Sequence, residues 1–89
     1  MTPFQRMVFK AVLKIPTGET RSYKWVAQQI GRPKAARAVA AVLHSNLLPL
    51  IVPCHRVIYS NGRLGGYRWG RQTKKKLIEL EKSLKGLSG

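Results

Sequence analysis

Ile30-Gly31-Arg32-Pro33 is the punctuation that most limits what this chain can become. A glycine closes a helix in the left-handed conformation, and a proline two residues later suits the first position of another helix. From Tyr23 to Ile30 the pattern gives a short helix that turns Trp25, Val26 and Ile30 inward, with Ser22 as its N-cap. The next helix is expected from Pro33 to about Leu43, with Ala35, Ala38, Val39, Val42 and Leu43 as its packed stripe. Lys34, Arg37, Ala41 and His44 are left on the opposite face, which is basic and slim. The expected fold is mainly α, a small helix-turn-helix domain of the winged-helix kind with short β or hairpin elements around a reactive loop. Short side chains let such a helix come close to a nucleic-acid backbone, even in a minor groove only ~6 Å wide.

The flanking segments read as scaffold. Thr2-Pro3-Phe4-Gln5 has the form of a capping box with proline at the first helical position. Phe4, Met7, Val8, Ala11, Val12 and Ile15 then follow three-and-four spacing, with Arg6, Lys10 and Lys14 outside. Pro16-Thr17-Gly18 ends that helix, and Glu19 to Arg21 form a short extended link. After the central helices, Ser45-Asn46 ends the second one and Leu47 to Val52 crosses to the next feature. Tyr59-Ser60-Asn61-Gly62 offers a hairpin-type turn, and Gly65-Gly66 permits close backbone approach before Tyr67. A last helix is expected from about Gln72 to Leu84.

Chemistry concentrates at Val52-Pro53-Cys54-His55-Arg56-Val57-Ile58, where the sole cysteine adjoins one of two histidines. A lone cysteine is most often a small core residue. As a nucleophile it would have to react as the thiolate, and an ordinary thiol of pKa ~8.5 needs a base or positive surroundings. His55 and Arg56 offer one of each. Neighbours on an extended chain point to opposite faces, so a local bend or a bridging water is needed to join Cys54 and His55. On the last helix Leu77, Ile78, Leu80 and Leu84 make the apolar stripe, and Glu81 falls inside it. Pairing with Lys85 at i+4 is the ordinary reading. A buried carboxylate would instead require a cationic or hydrogen-bonding partner, for which His55 is the candidate. Cys54, His55 and Glu81 would then be nucleophile, base and orienter.

The balance of 17 Lys and Arg against 3 acidic residues gives a formal charge of +14 on 89 residues. Basic residues spread from Arg6 to Lys85 among ordinary apolar periodicity favour a folded polyanion-binding domain over a basic tail. One cysteine excludes an internal disulfide, and with two histidines it falls short of a closed zinc site, so neither metal nor cofactor is expected. No apolar run reaches the roughly 20 residues of a membrane span, and no signal pattern opens the chain. A single domain over 1–89, soluble and intracellular, is expected.

Pro53-Cys54-His55-Arg56-Val57, with Pro33-Lys34-Ala35-Ala36-Arg37-Ala38-Val39, Asn46 and Gly65-Gly66-Tyr67, resembles the C-terminal domain of the O6-alkylguanine-DNA alkyltransferases. The resemblance runs from Thr2 to Glu81 and implies a single-turnover methyltransferase of DNA repair. In that family the damaged guanine is flipped out of double-stranded DNA through the minor groove, and its alkyl group passes to cysteine. The resemblance assigns acceptance to Cys54, proton transfer to His55 held by Glu81, bracing to Asn46 and proton donation towards the purine to Tyr23. It assigns Arg37 to the vacated space in the duplex, and Ser22, Lys34, Ala35, Ala36 and Ala41 to the DNA surface. Backbone groups of Cys54, Val57 and Arg68 would read the guanine edges, with Tyr67, Trp69 and Pro49 lining the pocket. A monomer is expected, in the cytoplasm at the nucleoid or in the nucleus of a eukaryote.

Two features depart from the family pattern. Members commonly carry an additional N-terminal domain, and Arg68-Trp69 stand where small residues usually follow the tyrosine. The pair would narrow the pocket, stack on the flipped base or form a surface loop. Alkyltransferase-like relatives, which sense damage without transfer and recruit other repair factors, typically replace the reactive cysteine, often with tryptophan. Cys54 favours transfer. A structural RNA-binding protein accounts for the charge and the helices but not for Pro53 to Val57 with Glu81 facing inward.

Overall fold

The computed structural model describes residues 2–45, 53–67 and 69–88. Its elements are α1 (Pro3–Leu13), β1 (Arg21–Ser22), α2 (Tyr23–Gln29), α3 (Ala36–His44), a 3₁₀ turn (Cys54–Arg56), β2 (Val57–Ile58) and α4 (Arg71–Ser88). Asn46, Pro49 and Arg68 lie outside the described residues.

Local chemistry sets most of the boundaries. The capping box of α1 forms, with Thr2 Oγ1 accepting from the Gln5 N–H at 3.1 Å and Gln5 Oε1 accepting from the Thr2 N–H at 2.9 Å. Ser22 caps α2 through a 2.9 Å bond from the Trp25 N–H. Gly31, at φ +74°, closes α2, and the Arg32 N–H reaches back to Ala27 O at 2.9 Å, the six-to-one bond of a Schellman cap.

The start of α3 departs from expectation. Pro33 sits in a turn that the Ala35 N–H closes onto Arg32 O at 2.9 Å, and the helix begins only at Ala36. A fixed proline φ suits the second position of a β-turn as well as the first of a helix. The packed stripe shifts with it: Val39, Ala40 and Leu43 are buried, whereas Ala38 faces solvent. Arg37, Ala41 and His44 lie on the open face as expected.

The core joins Val8, Ala11, Val12 and Ile15 of α1 and its end to Val26 and Ala27 of α2 and to the buried face of α3. Cys54, Val57 and Tyr67 extend that cluster from the other side. The expected stripe of α4 is also displaced. Leu80 and Leu84 are about half exposed, and the helix docks through Lys74, Leu77, Ile78 and Glu81. That set keeps helical spacing, but two of its members carry charge. No helix among the described residues is long and apolar enough to cross a membrane.

Candidate functional site

β1 and β2 pair in parallel, Arg21 with Val57 and Ser22 with Ile58. This short ladder, rather than a hairpin, lays the segment leaving Cys54 beside the start of α2, where Tyr23 follows directly. The expected turn after β2 does form, closed by Tyr59 N–H to Arg63 O at 2.8 Å and Gly62 N–H to Tyr59 O at 2.9 Å.

The reactive pair sits in a 3₁₀ turn rather than on an extended chain. The Arg56 N–H donates to Pro53 O at 2.9 Å and the Val57 N–H to Cys54 O. Both Cys54 and His55 are buried there, at 3% and 4% exposure. His55 Nε2 lies 2.9 Å from Glu81 Oε1, a close charge contact that is not aligned as a hydrogen bond. Burial lowers the His55 pKa, outweighing the opposite pull of Glu81. For Glu81, burial is the largest influence and would raise the pKa, but the hydrogen bonds from Arg56 and the closeness of His55 together leave it lowered. The pair is therefore a neutral imidazole beside a carboxylate near neutral pH. Such an imidazole can accept a proton, and the carboxylate stabilises the imidazolium that results. Lys85, the ordinary i+4 partner, reaches Glu19 at 3.2 Å.

The Arg56 guanidinium hydrogen-bonds to Glu81 and to the end of α1. Its Nε and Nη2 meet Glu81 at 2.9 and 2.6 Å, Nη1 meets Ile15 O at 2.9 Å, and Nη2 meets Thr17 Oγ1 at 3.0 Å. It ties the end of α1 to α4 and holds the carboxylate for His55.

The buried cation is Lys74, which the sequence reading passed over. Its side chain is fully buried and Nζ donates to Leu64 O, to Tyr23 Oη at 3.2 Å and to Gly66 O at 3.4 Å. Burial lowers its pKa to about 8, while a negative charge at Cys54 acts to raise it. Coulomb attraction is mutual, so Lys74 and a thiolate at Cys54 favour each other. The signal available in the sequence was spacing: Lys74 precedes Ile78 by four and Glu81 by seven on one helical face.

Tyr23 is buried, with its pKa pushed up to about 12 by burial and then by Tyr59 and Cys54. Its ring lies 4.8 Å from that of Tyr59. Because an ammonium only donates, the Tyr23 oxygen accepts from Lys74 and its own proton is free to point elsewhere. Gly65 lies beneath this hydroxyl, where a Cβ would stand 2.6 Å from Oη. Tyr67 is buried, edge-on to His55 at 6.3 Å, and its hydroxyl has no hydrogen-bond partner among the described residues. Trp69 packs edge-on to Tyr67 at 6.1 Å and is 48% exposed. Val57 is fully buried, in the core wall rather than at an open surface.

A cavity of about 350 Å³ opens between Tyr23, Ala36, Arg37, Ala41, His44 and Tyr59. It joins the slim face of α3 to the tyrosine pair. Lys34 is exposed in the turn ahead of that face and Ala35 caps the helix without a side-chain bond. The Ser22 hydroxyl is committed to its cap.

Residues 3–83 match the family model described as 6-O-methylguanine DNA methyltransferase, DNA binding domain. The chain belongs to this family. The methylated-DNA–protein-cysteine methyltransferase of Mycobacterium tuberculosis (strain ATCC 25618 / H37Rv) is 56% identical over 82 residues, 92% of this chain and 50% of that protein. The bifunctional transcriptional activator/DNA repair enzyme Ada of Escherichia coli (strain K12) is 50% identical over 80 residues, 90% of this chain and 23% of that one. The chain thus spans about half the length of the first relative and less of the second. Among solved structures, Mycobacterium tuberculosis OGT in complex with DNA superposes with a TM-score of 0.90 at 55% identity, over 93% of this chain and 51% of that one. S. pombe Atl1 in complex with damaged DNA containing O6-carboxymethylguanine gives 0.82 at 34%, over 91% and 77%. The alkyltransferase family expected from Pro53 to Val57 is the family found, and its small, mainly helical fold with it.

Proposed function

We propose that this domain extrudes an O6-alkylated guanine from duplex DNA and transfers the alkyl group irreversibly to Cys54. The observation that carries the reading is the contact of His55 with Glu81 on the turn that also holds the buried cysteine. His55 takes the Cys54 proton, directly or through water, and the thiolate displaces guanine from the alkyl carbon. A carbon–sulfur bond forms, the carbon–O6 bond breaks, and the electron pair leaves with the purine. Tyr23 supplies a proton towards that purine. The product is a thioether, which no group in the site can reverse, so each molecule acts once. Arg37 enters the duplex as the base leaves it, from the exposed face that the cavity beside Tyr23 continues. Relatives named as cysteine methyltransferases, and family structures holding DNA, support the same direction.

Removal of O6-methylguanine from a duplex oligonucleotide is expected to plateau at about one lesion per protein molecule, and continued turnover would contradict the reading. Arg37→Ala is expected to lower the repair rate by about a hundredfold while weakening binding to undamaged duplex by less than about tenfold, since stacking and pairing of a few kcal/mol must be replaced at the flipped site. Equal losses in the two assays would remove Arg37 from the extrusion step.

A further inference from the structure

A second concavity, of about 440 Å³, lies beyond His44 and is lined by His44, Asn61, Arg63, Gly65, Gly66 and Arg71. Nothing in the transfer chemistry uses Arg63 or Arg71. Both are exposed, and neither takes part in an ion pair among the described residues. The ion-paired carboxylates lie elsewhere: Glu19 meets Arg21 and Lys85, and Glu81 meets His55 and Arg56. Arg71 is the first residue of α4, a long helix with no acidic residue in its first turn, so the positive end of the helix adds to the field at this rim.

Three acceptors on the wall between Arg63 and Arg71 are already engaged. Lys74 draws the carbonyls of Leu64 and Gly66 towards the interior, and Asn61 Oδ1 is occupied by the Arg63 N–H at 3.0 Å. The formally charged side chains lining the groove are Arg63 and Arg71, and no carboxylate is among its lining residues. His44 presses against Gly66 so closely that a Cβ there would stand 2.3 Å from Nε2. The glycine lets the end of α3 meet the 64–66 loop, and His44 and Tyr59 form the ridge shared by the two cavities. A strand lying along the Arg37 face would cross this ridge.

We propose that this groove holds a backbone phosphodiester of the DNA strand that carries the lesion, gripped by Arg63 and Arg71 with His44 at the ridge. Guanidinium forks match phosphate oxygens two at a time, and one bound phosphate releases about one condensed counterion. The inference rests on the reading of this domain as a DNA alkyltransferase and adds a second point of grip outside α3.

The test pairs Arg63→Gln/Arg71→Gln with lesion duplexes carrying a single neutral methylphosphonate at each position flanking O6-methylguanine. The variant is expected to bind the parent duplex about tenfold more weakly, with the slope of log K against log salt reduced by about 1. At one flanking position the methylphosphonate should weaken wild-type binding by a similar factor and leave the variant unaffected. Arg63→Lys/Arg71→Lys should recover part of the loss by keeping the charge. The proposal is overturned if wild type is indifferent to every methylphosphonate, or if the variant pays the same penalty as wild type. It is also overturned if inorganic phosphate shifts the side-chain resonances of the two arginines while every neutralised duplex binds like its parent, which would make the groove a free-anion site. Failure of wild type to act on the lesion at all would instead count against the alkyltransferase reading, and the repair assay reports that separately.

Discussion

Glu81→Ala is expected to destabilise the fold by about 3–5 kcal/mol, the range for removing one partner of a buried ion pair, and to slow alkyl transfer about a hundredfold. The carboxylate is mostly buried, with a side-chain exposure of 14%, and it meets both Arg56 and His55. Its removal leaves the partly buried Arg56 guanidinium with only Ile15 O and Thr17 Oγ1, and leaves the imidazole without the charge that steadies its protonated form. Glu81→Gln keeps shape and some hydrogen bonding, so it should recover much of the stability while recovering little of the rate. Urea midpoints and single-turnover transfer rates check the two effects independently. Loss of stability in Glu81→Ala with an unchanged transfer rate would make Glu81 a structural brace alone.

Lys74→Met is expected to cut the transfer rate at saturating DNA about a hundredfold, because the site loses its buried cation and the donor that orients Tyr23 and the 64–66 loop. Its effect on stability depends on pH. The Lys74 pKa is lowered from 10.5 to about 8 in the fold, by burial. Between those values the unfolded lysine binds a proton that the folded one has released, so raising the pH favours the fold. The gain approaches about 3 kcal/mol across the full interval. Tyr23 and Tyr67, both pushed up to about 12, oppose it once unfolded tyrosines begin to ionise near pH ~10. Stability measured from pH 7.5 to 9.5 should therefore rise in wild type relative to Lys74→Met. A parallel pair of curves would show that Lys74 keeps an ordinary pKa.

The elements with local causes were legible from the residues. Thr2 with Gln5, Ser22 and Gly31 determine caps through bonds to near neighbours, and each acts as the spacing implies. Glu81 was legible as an inward carboxylate because it broke an apolar stripe; Arg56 is the cation that meets its charge, and His55 Nε2 lies 2.9 Å away. Pro33 was ambiguous because its ring fits a turn and a helix start equally. The parallel β1–β2 pair joins residues 36 positions apart (57 − 21), and two-residue strands carry no alternation to announce it. Lys74 was hidden by company, standing in Lys74-Lys75-Lys76, where only docking of α4 distinguishes the buried lysine from its exposed neighbours. Arg56 was assigned to the thiol by adjacency, but the 3₁₀ turn carries its side chain to Glu81 instead.

The most direct measurement is the intact mass of the protein after incubation with a duplex containing one O6-methylguanine, followed by peptide mapping, with Cys54→Ala alongside. The expected result is one methyl-sized increase, carried by the peptide containing Cys54 and absent from the variant. An unchanged mass and an unchanged lesion, from protein that binds the damaged duplex under reducing conditions, would contradict transfer and leave a domain that recognises damage without repairing it.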